Sequence, residues 1–223
     1  MIEKPVISAE DAAKMVREGD LVHVGGFLAC GSPLGILAAL AALGTKNLTL
    51  VCNDTSVLDE KNGRITGVAP LVKNRQFKKM IISHIGTNPE SQRQMNAGET
   101  EVVLVPQGTL AERIRAAGCG LGGILTGTGL GTEVEEGKQV VEVQGRMFLI
   151  EEALPGDVAL IKAKKADKAG NLVYSKTARN FNPLMAMACK TVIAEAEEIV
   201  EIGEIDPDQV HTPSILVDYL VKA

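Results

Sequence analysis

The sequence has 223 residues, of which 45% are hydrophobic, and a formal net charge of −5 at pH 7. A chain of this length and apolar content can bury one sizeable core, so we expect a single domain over residues 1–223. The mild charge, without a long basic run, argues against a nucleic-acid partner, and no apolar stretch approaches the ~20 residues that a membrane-spanning helix needs.

The N-terminal residues and the cysteine spacing indicate the cellular compartment. The first 14 residues are polar, unlike a secretory signal, and the four cysteines are scattered without a Cys-x-x-Cys pair. Scattered thiols of this kind are typical of reduced, partly buried cysteines. We therefore expect a cytoplasmic protein.

Helices and strands alternate along the first half of the sequence. Ser8 has the spacing of a helix N-cap with Asp11, Pro33 is placed for the first turn of a helix, and Gly44 is placed as its C-cap. The predicted helices cover residues 8–17, 33–43, 89–96 and 108–117, and the predicted strands cover 21–24, 48–52, 77–83 and 101–105.

The pattern changes after Gly118. Residues 118–132 hold seven glycines in fifteen positions, which predicts an irregular segment. Residues 140–150 alternate around Gln144-Gly145 and predict a β-hairpin. Beyond it we expect strands at 157–163, 172–174 and 191–195, a helix at 183–189, and a strand or helix at 215–221.

This order of elements predicts the fold class. Strands that alternate with helices of this length imply a parallel sheet that is covered on both faces. We expect an α/β fold with an open, mainly parallel sheet, helices on both faces, and a glycine-rich excursion with a β-hairpin.

The first strand-to-helix turn is the main candidate site. It passes through Gly25-Gly26, reaches Gly31, and enters the helix at Ser32-Pro33. A helix start offers backbone N–H groups and a positive dipole to anions, phosphates above all. Gly25 and Gly26 would let the main chain approach a ligand that a side chain would block. The alternative is that these glycines only form a tight turn.

Other catalytic and binding motifs are weak or missing. The pattern Gly118-x-Gly120-x-x-Gly123 follows a helix instead of a strand, which is the wrong context for a dinucleotide site. There is no phosphate-binding loop of the Gly-x4-Gly-Lys type and no Gly-x-Ser-x-Gly, and the three histidines lack metal-ligand spacing. His84, at a strand end, is a site residue or, as is more common, a hydrogen-bonded structural histidine. We predict no metal site.

Several strings, in order and without a large gap, resemble one family. They are VGGFLACGSP (24–33), VCNDTS (51–56), SHIGTNPE (83–90), VLVPQGTLAERIRAAG (103–118), GTGLGTEVEEGK (127–138), KADKAGNLVY (165–174) and ARNFNPLMAMA (178–188). On these strings the chain is similar to the α subunit of family I CoA-transferases, the 3-oxoacid, acetate/acetoacetate and butyrate–acetoacetate type.

The resemblance implies a reaction and a site. Family I enzymes move CoA between carboxylates through an acyl-glutamyl anhydride and a glutamyl-CoA thioester, so a CoA thioester is a substrate and no permanently bound cofactor is expected. The resemblance assigns CoA binding to one segment and leaves open whether that segment meets the phosphates or the pantetheine chain. The segment is Gly25, Gly26, Phe27, Leu28, Ala29, Cys30 and Gly31.

The sequence departs from the family at the nucleophile. The family's nucleophilic glutamate lies in a Ser-Glu-Asn-Gly-like segment of the β subunit, and no such segment occurs here; residues 59–63 are only a distant approximation. We therefore expect no catalytic nucleophile on this chain and a separate β chain as partner, in an α2β2 heterotetramer. The resemblance also implies short-chain acyl-CoA and carboxylate substrates such as acetyl-CoA, acetoacetate or butyrate.

Four further polar residues match the family strings at predicted strand ends or helix starts. They either contact substrate or hold loops by side-chain capping, and loop-holding is favoured. They are Asn53, Asn88, Gln107 and Asn182. Because one architecture serves many functions, a ligand-binding sensor module and a sugar-phosphate isomerase remain alternatives to the transferase.

Overall fold

The computed structural model describes residues 2–223, and these residues form six helices and fourteen strands. The helices are α1 (Ala9–Lys14), α2 (Leu34–Leu43), α3 (Ala69–Lys73), α4 (Pro89–Asn96), α5 (Gln107–Gly118) and α6 (Asn182–Ala188). The strands are β1 (Val6–Ile7), β2 (Leu21–Val24), β3 (Leu48–Val51), β4 (Leu58–Asp59), β5 (Arg64–Ile65), β6 (Phe77–Ile82), β7 (Glu101–Leu104), β8 (Gly123–Thr126), β9 (Val140–Val143), β10 (Arg146–Glu152), β11 (Gly156–Asp167), β12 (Leu172–Val173), β13 (Cys189–Val200) and β14 (Tyr219–Lys222).

One large sheet organises the chain. Its strands lie in the order β1-β14-β13-β11-β2-β3-β6-β7, and every neighbouring pair on this path is parallel. Only β12 is antiparallel, on the end of β11. The predicted α/β fold with an open, mainly parallel sheet is confirmed.

Helices cover both faces of the sheet, as expected. Successive strand residues alternate between the two cores: Leu160 packs with α1, α2 and α3, while Ala159 and Ile161 pack with α5 and α6. Aliphatic side chains dominate both cores, and burying each large one contributes roughly 1.5–3 kcal/mol. This double coverage leaves only the ends of the strands open for a binding site.

The local helix signals are also confirmed. Ser8 caps α1 by accepting a hydrogen bond from the Asp11 N–H at 3.0 Å, and Gly44 ends α2 with a left-handed φ of 74°. Helix α1 stops at Lys14, three residues before the predicted end at position 17. Its Ala12 and Ala13 are buried, so the short helix is stabilised mainly by packing.

The second half departs further from the sequence predictions. The glycine-rich segment contains a strand, β8, which pairs with β10, and β10 pairs with β9 as the predicted hairpin. A Cβ atom at Gly123 would lie 2.5 Å from the Glu151 carbonyl oxygen, so this glycine allows the strands to approach closely. Strands β11 and β13 each run for 12 residues, longer than predicted, and the final element is a strand.

Strand β2 carries a histidine in the core. His23 is completely buried, and neither ring nitrogen has a hydrogen-bond partner within residues 2–223. Burial lowers the pKa of His23 to about 3, an effect that nearby Asp157 only partly opposes. The folded protein therefore holds a neutral imidazole, whereas the unfolded chain binds a proton below about pH 6.5.

We expect His23→Leu to flatten the dependence of stability on pH. The wild-type free energy of unfolding should fall by on the order of 4 kcal/mol relative to the variant as the pH drops from 6.5 toward 3, because only the unfolded state gains the histidine proton in that range. Urea denaturation between pH 4 and 7.5 measures this difference. Parallel curves for the two proteins would contradict the assignment.

Candidate functional site

The candidate site lies where neighbouring parallel strands end. Gly25 follows β2, Asn53 and Asp54 follow β3, Ser83 follows β6, and Gln107 begins α5 just after β7. The carboxyl ends of these strands lie at one edge of the sheet, which brings together residues that are far apart in sequence.

Residues 25–31, the glycine loop, turn sharply at their centre. Phe27 and Cys30 each donate a backbone hydrogen bond to the other's carbonyl, at 3.0 and 2.9 Å. The two residues between them, Leu28 and Ala29, have φ values of 48° and 70°. This left-handed conformation is uncommon for residues other than glycine, so the turn stores strain.

Side chains from a distant segment hold the loop. Asn180 accepts a hydrogen bond from the Gly26 N–H at 3.1 Å and donates one to the Cys30 carbonyl at 2.9 Å. Asn182 donates to the Gly31 carbonyl at 3.0 Å and accepts from the backbone of Lys162 in β11. The loop is thus fixed to the α6 end of the fold.

Close contacts within the chain also require glycine at three positions of the loop. A Cβ at Gly25 would lie 1.8 Å from Asn182 Oδ1, a Cβ at Gly26 would lie 2.0 Å from Ser32 Oγ, and a Cβ at Gly31 would lie 2.6 Å from the Ala178 carbonyl oxygen. Gly26 also has a φ of 126°. Each glycine therefore has a reason within the chain itself, and a side chain there would disturb the loop before it blocked any ligand.

The anion-binding potential of the turn is smaller than the sequence indicates. Apart from Ala29 and Gly31, every N–H group of the loop bonds to an acceptor in the described chain. At the start of α2, the buried Glu195 carboxylate accepts a hydrogen bond from the Ile36 N–H at 2.9 Å. A carboxylate in this position already offsets the positive end of the helix dipole.

Three cavities border the loop; the first, of about 850 Å³, touches it only at Leu28, and the other two flank it. One, of about 550 Å³, lies between Phe27, Cys30, Thr177 and Asn180. The loop tip is apolar and open, since Phe27 and Leu28 keep 44% and 38% of their surface exposed. The other cavity, of about 360 Å³, is lined by Phe27, Leu28, Asn53, Asp54, Ser83, His84 and Gln107.

The four polar candidates occupy different positions. Asn88 caps α4 and donates to the Thr55 carbonyl, and Asn182 donates to the Gly31 carbonyl of the loop. Both asparagines are completely buried and hydrogen-bonded within the chain. Asn53 and Gln107 line the smaller cavity, where Gln107 donates to Asn53 Oδ1 at 2.5 Å. The structure thus brings Asn53 and Gln107 to the loop and leaves Asn88 in a capping position.

His84 and His211 lie in different environments. His84 lines the smaller cavity beside Asn53, which places it at the candidate site. His211 takes the structural role: its Nδ1 accepts a hydrogen bond from the Tyr174 N–H at 3.0 Å, and its ring stacks on Tyr174.

The buried glutamates are committed to internal contacts. Among residues 2–223 these are Glu151, which pairs with Lys138 at 2.6 Å, and Glu195 at the start of α2. Glu60, in the segment that distantly approximates the family's nucleophile motif, lies exposed in the turn between β4 and β5 and pairs with Lys73. None of these three stands free beside the glycine loop.

Comparison with known proteins identifies the family. The model of the coenzyme A transferase family matches residues 6–223. The chain belongs to this family. It is 47% identical to the alpha chain of the acetate CoA-transferase of Escherichia coli K12, over 97% of this chain and 96% of that one. It is 46% identical to the alpha chain of the acetoacetyl-CoA:acetate/butyrate CoA transferase of Clostridium acetobutylicum, over 97% of each chain.

A solved structure supports the fold of this member of the CoA-transferase family. The acyl-CoA transferase YdiF of E. coli O157:H7, a thioester complex with CoA, superposes with a TM-score of 0.85 at 22% identity. The match covers 99% of this chain and 47% of that chain, so this chain spans about half of YdiF. The family match and the two alpha chains support the transferase interpretation and not the sensor or isomerase alternatives.

The helices do not have the properties of membrane spans. No helix within residues 2–223 has both the length and the apolar character needed to cross a bilayer.

We expect Gly25→Ala to destabilise the folded chain. The new methyl group overlaps Asn182 Oδ1, so Asn182 must move and release the Gly31 and Lys162 main-chain groups, at a cost of roughly 2–4 kcal/mol. Gly127→Ala is the matched control, because a Cβ at Gly127 has no atom within 4 Å and its φ is not in the left-handed region. Equal midpoints of urea denaturation for the two variants would show that the close contact with Asn182 does not affect the stability of the fold.

Proposed function

We propose that this chain is the α subunit of an enzyme that moves CoA from a short-chain acyl-CoA, such as acetyl-CoA, to a short-chain carboxylate or 3-oxoacid, such as acetoacetate or butyrate. The names of the relatives from E. coli and C. acetobutylicum support this substrate class. The proposed partner is a β chain in an α2β2 complex, and the proposed location is the cytoplasm.

The observation that carries the proposal is a candidate binding loop whose neighbourhood has no free glutamate among Glu60, Glu151 and Glu195. The glycine loop presents an apolar tip beside two cavities, and the N–H groups of Ala29 and Gly31 have no acceptor within residues 2–223. The buried glutamates are engaged elsewhere. Such a site suits the binding of a thioester. The pairing of these glutamates supports the proposal that the attacking carboxylate comes from a partner chain.

The proposed chemistry balances without any other reactant. The partner's glutamate carboxylate attacks the acyl carbon, the C–S bond breaks, and CoA thiolate leaves behind a mixed anhydride. The thiolate attacks the glutamyl carbon and releases the donor carboxylate. The acceptor carboxylate displaces the thiolate from glutamyl-CoA and forms a new anhydride; the thiolate then attacks its acyl carbon, which gives the new acyl-CoA and frees the glutamate.

In this scheme the glycine loop contacts the thioester end of CoA. Glu195 occupies the start of α2, which disfavours a phosphate there, and the exposed Phe27 and Leu28 suit the uncharged pantetheine chain. The unpaired N–H groups of Ala29 and Gly31 are assigned to the thioester oxygen, where negative charge develops during attack. Gln107 and Asn53 are assigned to polar atoms of the acyl group.

We expect the purified chain to transfer no CoA between acetyl-CoA and acetoacetate or butyrate, and to do so after mixing with its β chain. Chromatographic separation of the CoA esters measures the turnover. Mass spectrometry of the quenched complex should find the glutamyl adduct on the β chain. Turnover by the pure chain, or a glutamyl adduct on it, would disprove the proposal that the nucleophilic glutamate lies on the β chain.

Phe27→Ala should raise the KM of the complex for acyl-CoA about tenfold while leaving the Tm of the chain nearly unchanged, because an exposed aromatic side chain contributes more to a ligand contact than to the core. The matched control is Leu43→Ala, at the opposite end of α2, where the leucine is 50% exposed. If KM changed equally in both variants, the loop tip would not be part of the CoA-ester site.

A further inference from the structure

Asp54 is a buried carboxylate that directly follows the first polar residue after β3. It is 4% exposed, and its two oxygens accept three hydrogen bonds. The donors are the Leu28 N–H at 2.9 Å, the Ser56 N–H at 2.7 Å and the side-chain amide of Asn53 at 2.7 Å. Hydrogen bonds to an ionised acceptor are stronger than neutral ones, so Asp54 is a firm anchor.

The bond to Leu28 falls where the glycine loop is most strained. Leu28 and Ala29 are both left-handed without being glycine, at a cost of about 1–3 kcal/mol each. Such a conformation persists only where surrounding contacts impose it. Asn180 holds both ends of the turn, whereas Asp54 holds its tip.

Asp54 also links the tip to the amides of the smaller cavity. The oxygen that accepts from Leu28 also accepts from Asn53 Nδ2. Asn53 Oδ1 in turn accepts from Ser83 Oγ at 2.9 Å and from Gln107 Nε2. The hydrogen bonds thus run without a break from the loop tip to the start of α5, and they fix which way the Asn53 amide points.

We propose that Asp54 is a positioning residue that holds the glycine loop in its strained turn and aligns that turn with the Asn53 and Gln107 amides. This inference rests on the proposed function, in which the Ala29 and Gly31 N–H groups and the two amides contact opposite parts of one acyl-CoA. Asp54 lines the smaller cavity, but both of its oxygens already accept hydrogen bonds within the chain, so in this inference the carboxylate acts through the loop.

The first test follows the loop without using activity. In Asp54→Asn, amide hydrogen exchange in a peptide spanning residues 27–31 should become about tenfold faster, because the charge-assisted bond at Leu28 is lost. The matched control is Asp167→Asn, since Asp167 is 2% exposed and also accepts from a backbone N–H and an asparagine amide, both of Asn171. The control should leave exchange in residues 27–31 unchanged.

The second test measures turnover by the complex with the β chain. Asp54→Asn should lower kcat for acetyl-CoA and acetoacetate about tenfold or more, whereas Asp167→Asn should retain kcat within about twofold even if its Tm falls equally. Adding Ala29→Gly to Asp54→Asn should recover at least about threefold in kcat, because glycine adopts the left-handed turn without an anchor. In the wild-type background Ala29→Gly should bring no such gain.

The outcomes separate the two proposals. If the wild-type complex shows no CoA transfer, the proposed function fails, and hydrogen exchange still decides whether Asp54 holds the loop. If the complex is active but Asp54→Asn matches Asp167→Asn in exchange and in kcat, the positioning role is wrong. An equal effect of Ala29→Gly in both backgrounds would also overturn it.

Discussion

The geometry of the site depends on how the main chain of the glycine loop is held. A loop that leaves the end of a strand loses the hydrogen bonds of the sheet, and each buried N–H or carbonyl left unpaired costs about 1–3 kcal/mol. Here the replacement partners are side chains of Asn180, Asn182 and Asp54, which come from two distant segments. The shape of the loop is therefore a property of the whole fold.

The same hydrogen bonds explain the glycines and the strain. Gly25 and Gly31 leave room for Asn182, which anchors the loop, and the anchored ends force Leu28 and Ala29 into left-handed conformations. A loop made only to connect β2 with α2 would have no need for two strained residues at an exposed apolar tip. This combination supports a ligand-binding role at the point where the strain is concentrated.

Electrostatics limits what the site can do alone. Glu195 offsets the start of α2, and its own charge is stabilised by the Ile36 N–H and by Lys162, 3.6 Å away. Glu195 thus serves the fold. Glu60 and Glu151, like Glu195, are paired within the chain, in keeping with a nucleophilic glutamate on the proposed partner chain.

The sequence by itself determined the alternation of strands and helices, the caps at Ser8 and Gly44, and, through its resemblance to the CoA-transferases, the location of the loop. These signals are local or lie in contiguous strings. It missed β1, β4, β5, α3 and β8, which are all short elements. Strands β1 and β8 form by pairing with strands far along the chain, as Gly123 against Glu151 shows, whereas β4 and β5 pair with each other across a short turn. Only the tertiary structure decided that Gly25 makes room for Asn182, that Glu195 occupies the helix start, and that Asn53 and Gln107 meet across 54 positions of the chain. The physical reason is that hydrogen-bond partners and close contacts in a parallel sheet join segments that no local pattern relates.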